Sequence, residues 1–262
     1  MPARALSGGP SLARLARALR ELIFPPACLG CGGPLEEGEP FLCPACAARV
    51  EPMGETPCRR CGRRLETRLA AGGECPACRR WPPPYDLARA VARHDGPLAE
   101  ALRRFKYGGS YVLGPGLAGL LAAGAPSEIL AWAEMAAPVP LHPRRLLRRG
   151  FNQSLILALG LARRPGLKIV PRLLSRLRHT RPQVGLGPRE RAANVAGAFA
   201  VNPDLAHLAR GRRVLIVDDV FTTGATVSEC ARALLAAGAA GAAVLTLTRG
   251  GDPTAGLPKR VG

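Results

Sequence analysis

The sequence predicts an α/β fold: a mostly parallel sheet with helices on both faces, preceded by a small cysteine-rich module. Three observations carry that expectation. Strand-like and helix-like segments alternate from residue 88 onward. Residues Val214 to Thr226 join an aliphatic run, two adjacent acids, a Thr/Gly loop and a helix start within thirteen positions. Four C-x-x-C pairs fall between residues 28 and 80.

The chain of 262 residues is long enough for one large domain or a medium one with an appendage, and 47% hydrophobic residues suffice for a core. Residues 1–27 open it with an amphipathic, basic stretch. Ser11–Phe24 alternates Leu and Ala with Arg and carries Glu21, so it reads as a helix and lacks the continuous apolar segment of a signal peptide. No apolar run reaches the roughly 18 residues of a transmembrane span. A cytoplasmic protein without a transmembrane segment is expected.

Residues 28–80 come next. Cys28/Cys31, Cys43/Cys46, Cys58/Cys61 and Cys75/Cys78 have metal spacing, since a two-residue gap lets a tight turn aim both thiolates at one tetrahedral ion. The pairs repeat. The first and third are each followed by Gly (Gly32, Gly62), and the second and fourth both read C-P-A-C. A knuckle of each kind recurring about 30 residues later predicts two consecutive Cys₄ zinc ribbons, Cys28, Cys31, Cys43 and Cys46 holding one Zn²⁺ and the other four a second. An interleaved cross-brace, first pair with third and second with fourth, is the alternative. Four thiolates leave no open coordination position, so both ions are expected to be structural.

Residues 81–87, with three consecutive prolines between Trp81 and Tyr85, read as a stiff extended linker. The domain expected over 88–250 then unfolds element by element. Ala88–Arg93 reads as a strand, Pro97–Lys106 and Val112–Ala123 as helices, Glu134–Pro140 as a strand and Gln153–Arg163 as a helix. Phe199–Val201 is a short strand. The Val214 strand, a helix from Thr226 to about Leu235 and the apolar run Ala242–Thr248 follow, then a flexible tail over 251–262. Cys230, on the last helix, reads as a small core residue.

The Val214 strand places Asp218 and Asp219 at its C-terminal end, where open α/β sheets bind ligands. The loop Phe221-Thr222-Thr223-Gly224-Ala225-Thr226 then turns backbone N–H groups, hydroxyls and a helix N-terminus toward one spot, an arrangement suited to a phosphate monoester. An acid pair for ribose hydroxyls beside a phosphate cradle describes a sugar-phosphate receptor. At these residues the chain resembles the type I phosphoribosyltransferases, whose signature for phosphoribosyl pyrophosphate (PRPP) is a hydrophobic strand, two acids and a T-T-G-x-T/S loop.

Net charge is +18, but 34 of the 37 basic residues are Arg, a skew that a GC-rich genome produces on its own. The charge is also uneven: residues 28–80 hold eight Arg against seven Glu, and residues 81–262 hold 25 basic against 11 acidic. The positive field therefore belongs to the α/β domain and not to the ribbons. Three basic segments contribute. Phe105-Lys106-Tyr107-Gly108-Gly109 ends a helix with a Lys that either complements the helix dipole or reaches a phosphate. Arg144, Arg145, Arg148 and Arg149 follow a strand; they suit pyrophosphate, nucleic-acid phosphates or a solvated face. Residues 172–195 form a basic stretch whose central part, rich in Arg, Pro and Gly, reads as a loop, either closing over a site or simply exposed to solvent. His142, between two prolines, is expected to be structural.

In series, the four cysteine pairs, F-K-Y-x-G, V-P-L-x-x-x-R-x-x-R-R-G-F-N-Q-S, R-x-R-x-T-x-x-Q and the PRPP loop resemble the ComF family from about Phe24 to Thr248. His179 and Pro182 depart from its usual loop. The resemblance implies a double zinc ribbon, a type I phosphoribosyltransferase-like domain and a part in DNA uptake and natural transformation. Asp218 and Asp219 are then the expected catalytic and ribose-binding acids and Phe221–Thr226 the phosphate loop, with Mg²⁺ bridging pyrophosphate and ribose oxygens. Transfer of a 5-phosphoribosyl group to an unidentified acceptor is one reading. An inactive PRPP sensor that binds single-stranded DNA or docks other competence proteins is the other.

Overall fold

The computed structural model describes residues 27–36, 39, 41–54, 56–65, 73–107, 111–183 and 185–250. The helix expected over 1–27 (Ala27 excepted), the tail 251–262 and the pair Gly108–Gly109 lie outside these residues.

The cysteine module is built twice from one plan. In each half an N–H-to-carbonyl pair closes the first knuckle: Cys28 with Gly33 and Gly32 with Cys28, then Cys58 with Arg63 and Gly62 with Cys58. Each second knuckle opens a short helix with Pro at its first position, α1 (Pro44–Ala47) and α2 (Pro76–Arg80), because Pro needs no N–H there.

The α/β domain follows with β1 (Leu87–Arg93), α3 (Gly96–Tyr107), α4 (Leu113–Gly124), α5 (Ser127–Trp132), β2 (Met135–Pro138), α6 (Pro143–Arg149) and α7 (Gln153–Gly160). Then come β3 (Lys168–Ile169), β4 (Leu174–Arg176), α8 (Pro188–Val195), β5 (Phe199–Val201), α9 (Ala206–Ala209), β6 (Arg213–Phe221), α10 (Ala225–Ala236) and β7 (Gly241–Arg249). Five strands form one parallel sheet in the order β1-β7-β6-β2-β3, while β4 and β5 pair antiparallel as a separate ribbon. The Arg cluster, whose sequence carries no clear apolar period, forms helix α6; His142 caps it by accepting from the Arg144 N–H at 3.3 Å. Helix α8 forms the C-terminal end of the basic stretch 172–195, after the loop expected at its centre.

Strand β6 is buried on both faces, as a central parallel strand must be. Val214 and Ile216 enter a core with Val227, Cys230 and Leu234 of α10. Leu215 and Val217 enter the opposite core with Leu102, Phe105, Leu117 and Leu157. The ladder to β7 continues past the aliphatic run to Phe221↔Arg249, so Asp218 and Asp219 are strand residues and not the start of the loop.

The cysteine module covers the outer edge of β1. The Ala88 N–H donates to Arg60 O (2.6 Å), the Arg93 N–H donates to Glu51 O (2.8 Å), and Pro52 bridges Ala92. The approach at Gly62 is close: a Cβ there would lie 2.3 Å from Ala88 O, and its φ of +70° is itself unfavourable for other residues. Leu29 of the first ribbon packs with Leu102, Leu117 and Leu121, and Arg104 donates to the carbonyls of Leu29 and Gly30.

Candidate functional site

A cleft of about 450 Å³ opens at the C-terminal end of the sheet, over the adjacent ends of β2 and β6. Its walls bring together Lys106, Arg145, Arg148, Arg149, both acids and most of the loop that follows them. Arg144 and Thr223 lie outside that wall. Arg144 is exposed on α6, and the Thr223 hydroxyl accepts weakly from the Ala225 N–H at 3.4 Å.

Period-two alternation sends the two acids to different partners. Asp218 accepts from Ser154 Oγ (2.8 Å) and from the Asp219 N–H (2.9 Å). It touches cavity space but is otherwise surrounded by protein. Burial pushes its pKa up to about 7, the Asp219 charge adds to the rise, and Ser154 and Lys106 oppose it. Asp219 pairs with the Lys106 ammonium at 2.7 Å. Burial works against the Lys106 charge, but the carboxylate outweighs it and the lysine pKa is raised.

The loop owes its shape to Gly224. This residue caps α10 with φ +80°, and a Cβ on it would sit 2.7 Å from the Phe221 ring. Phe221 is fixed from behind: Tyr85 meets it edge-on at 6.3 Å, the Arg249 guanidinium stacks 4.1 Å from its ring centroid, and its carbonyl accepts from Gly250 N–H. Thr226 Oγ1 accepts from Gln183 Nε2 at 3.0 Å, so the basic segment after β4 reaches the loop.

Four wall residues escaped the residue-by-residue reading of the site. Ser154 closes the G-F-N-Q-S run, where nothing local marks it as a partner of Asp218. His94 follows β1 at the same sheet edge, bonded to Thr248 Oγ1 at 2.8 Å, and burial first and Lys106 second lower its pKa. Arg176 and Gln183 sit in the segment read as a loop. Only the parallel order of the strands reveals that these distant positions share one rim.

The cysteines form two tetrads, Cys28, Cys31, Cys43 and Cys46, and Cys58, Cys61, Cys75 and Cys78, with all four Sγ atoms of each within 4.8 Å of one another. The consecutive pairing holds and the cross-brace does not. A Zn–S bond of about 2.3 Å implies S···S separations of about 3.8 Å in a tetrahedron. Cys31–Cys43 at 3.9 Å and Cys61–Cys75 at 3.8 Å match that, and Cys43 and Cys75 N–H groups donate to the thiol sulfurs of Cys28 and Cys58. The donor sets fit two structural zinc ions. Two carboxylates facing one cavity are the hard oxygen donors that Mg²⁺ accepts. Among the described residues no helix is long and apolar enough to cross a membrane.

Comparison with known proteins agrees with this architecture. Residues 19–80 match the double zinc ribbon domain and residues 148–256 the phosphoribosyl transferase domain. The chain is 33% identical over 235 residues to the DNA utilization protein YhgH of Escherichia coli, covering 87% of this chain and 99% of that one. It is 29% identical over 211 residues to competence protein F of Haemophilus influenzae, covering 79% and 90%. Competence protein ComFC of Streptococcus pneumoniae is 26% identical over 218 residues, covering 82% and 90%. With its two cysteine tetrads, its parallel sheet and these full-length likenesses, the chain belongs to the ComF family of competence and DNA utilization proteins, which joins a double zinc ribbon to a phosphoribosyltransferase domain.

Proposed function

We propose that the protein binds PRPP with Mg²⁺ and transfers its 5-phosphoribosyl group to an acceptor during DNA uptake, in the cytoplasm. One observation carries this reading: the acid pair, the glycine-capped loop and a group of cations converge on one cavity. The 5′-phosphate takes the N–H groups of Thr222–Thr226 at the start of α10. Asp218 and Asp219 receive the ribose hydroxyls, which requires Lys106 to leave Asp219 or share it. Arg148, Arg149 and the released Lys106 face the pyrophosphate. Mg²⁺, when bound, neutralises pyrophosphate charge and makes it a better leaving group. As the C1–O bond breaks, pyrophosphate keeps the electron pair, and the acids stabilise the positive charge growing on the sugar. The acceptor then bonds to C1 and gives up its proton.

Calorimetric titration of PRPP, with and without Mg²⁺, tests the reading. Mg²⁺-assisted binding to wild type and its loss in Asp218→Asn/Asp219→Asn are expected. A folded, zinc-loaded wild type that does not bind PRPP would falsify it.

A second reading rests on a specific surface. Tyr107 and Tyr111 are 63% and 57% exposed, and Arg149 stacks on Tyr107 at 5.5 Å, beside exposed Arg148. Exposed rings interleaved with arginines suit single-stranded DNA, whose affinity would fall steeply with salt. The near-neutral ribbons suit docking of other competence proteins better than phosphate contact. Loss of oligonucleotide binding in Tyr107→Ala/Tyr111→Ala with PRPP affinity intact would separate the two surfaces.

A further inference from the structure

Two guanidinium groups in the cavity wall form no ion pair among the described residues. Arg176 ends β4 opposite Phe199, is only 9% exposed, and stacks 5.1 Å from that ring. Its Nη2 donates to Thr180 Oγ1 (2.5 Å), while its buried Nε has no hydrogen-bond partner. Arg145, from α6, donates through Nη2 to the carbonyl of the same Thr180 at 2.6 Å. Among the described residues neither forms an ion pair with a carboxylate.

Holding two like charges around one threonine in a half-dry wall is unfavourable unless an anion completes the site. Desolvation together with the neighbouring Arg145 charge pulls the Arg176 pKa down to about 10, which reports that same tension. A structural role would be expected to satisfy these donors with protein acceptors, as Thr180 does for one N–H of each. The remaining Nη N–H groups are those a ligand in the cavity would meet, since the Arg176 Nε is itself sealed from solvent.

The pair shares Thr180, whereas the neighbouring cations have other partners. Helix α6 divides its arginines between two walls. Arg149 turns toward α3 and α7, donating to Gln153 Oε1 (2.7 Å) and covering Tyr107, on the same side as Lys106. Arg145 instead reaches Thr180, in the segment that follows β4. Ribose, 5′-phosphate and pyrophosphate are provided for by Asp218, Asp219, the loop and the α3-side cations. The ribbon-side pair is left over.

We propose that Arg145 and Arg176 form an oxyanion subsite that receives a phosphate group of the acceptor. The inference rests on the PRPP reading for the word acceptor, but not for the anion itself. Two guanidinium charges without a direct ion pair among the described residues match a phosphate monoester better than a monoanionic carboxylate, and paired forks suit its tetrahedral oxygens. The acceptor is thus a phosphorylated molecule, either a mononucleotide or the phosphorylated end of a nucleic acid.

The test uses full-length, zinc-loaded protein saturated with ribose 5-phosphate, pyrophosphate and Mg²⁺, titrated calorimetrically with inorganic phosphate. One additional phosphate per chain is expected. Arg176→Gln should weaken it at least about tenfold while ribose 5-phosphate and pyrophosphate affinities stay within about twofold, and Arg148→Gln should do the reverse. Arg145→Gln, on a half-buried helix position, repeats the measurement if the Arg176 variant does not fold. Tighter binding of a 5′-phosphorylated oligonucleotide than its 5′-hydroxyl twin would assign the phosphate to a nucleic-acid end; discrimination of only mononucleotide from nucleoside would assign it to a small molecule. No extra phosphate on loaded wild type, or loss of pyrophosphate in Arg176→Gln, overturns the subsite. If wild type ignores ribose 5-phosphate and pyrophosphate yet binds phosphate through Arg176, the PRPP reading falls and the subsite stands.

Discussion

Lys106 places its ammonium 2.7 Å from a carboxylate oxygen of Asp219, so the acid assigned to ribose already carries a cation. The contact links helix α3 to the middle of the sheet edge and keeps two adjacent carboxylates from repelling each other freely. A ligand must displace or share it. In Lys106→Met the pair loses its neutralising charge, and Asp218, already raised to about 7, should rise further. Ribose 5-phosphate affinity should then fall off at a higher pH in the variant than in wild type. Calorimetry between pH 6 and 8 reads the midpoint directly.

Asp218 also sets a stability trend. Its pKa is raised from 3.8 to about 7 in the folded state, so the folded chain binds this proton more readily than the unfolded one. Its contribution favours folding below about pH 4 and is lost as pH rises through 7. Asp218→Asn removes the buried charge. Because cavity water discounts the full shift, a gain on the order of 2 kcal/mol is expected at pH 8, a few degrees in Tm, with much less at pH 5. Paired thermal melts at the two pH values check the sign.

Gly224→Ala should cost about 1–2 kcal/mol, because the residue keeps a left-handed φ and its new methyl meets the Phe221 ring. Ribose 5-phosphate binding should weaken more than zinc binding, which gives the loop's contribution apart from the fold's. Equal loss of both would mean that the substitution unfolds the domain instead.

Arg249 ties the metal module to the loop: its Nη1 donates to Cys61 O at 2.7 Å while its guanidinium lies on Phe221. Arg249→Met should speed amide exchange over residues 222–226 and leave the first tetrad's metal in place. Cys78→Ser should lower bound zinc from two ions to one and produce the same loop signature. Unchanged exchange in both variants would separate the module from the site.

Much of this architecture is legible in the residues because local chemistry forces it. The aliphatic run of β6, the C-x-x-C spacing and the Thr/Gly loop each state their geometry within a few positions. Helix α6 was harder to read, since four arginines in seven residues hide any apolar period. Of the β4–β5 ribbon, Phe199–Val201 is legible as a strand, but its partner β4 has only three residues, too few for alternation to register. The cavity wall is harder still. Ser154 meets Asp218 across 64 positions, and His94 meets Thr248 across 154, distances that only the strand order β1-β7-β6-β2 contracts.

The backbone contacts of residues 51–60 with β1 have a cellular corollary. An open strand edge is a template for pairing with another chain, and here the cover is a segment whose own shape depends on thiolates and a metal ion. Starvation for zinc, or cleavage anywhere near residue 81, would therefore do more than remove an accessory lobe. It would unmask a sticky border on the remaining sheet, and the yield of dispersed protein would become a gauge of how well its cell is supplied with metal.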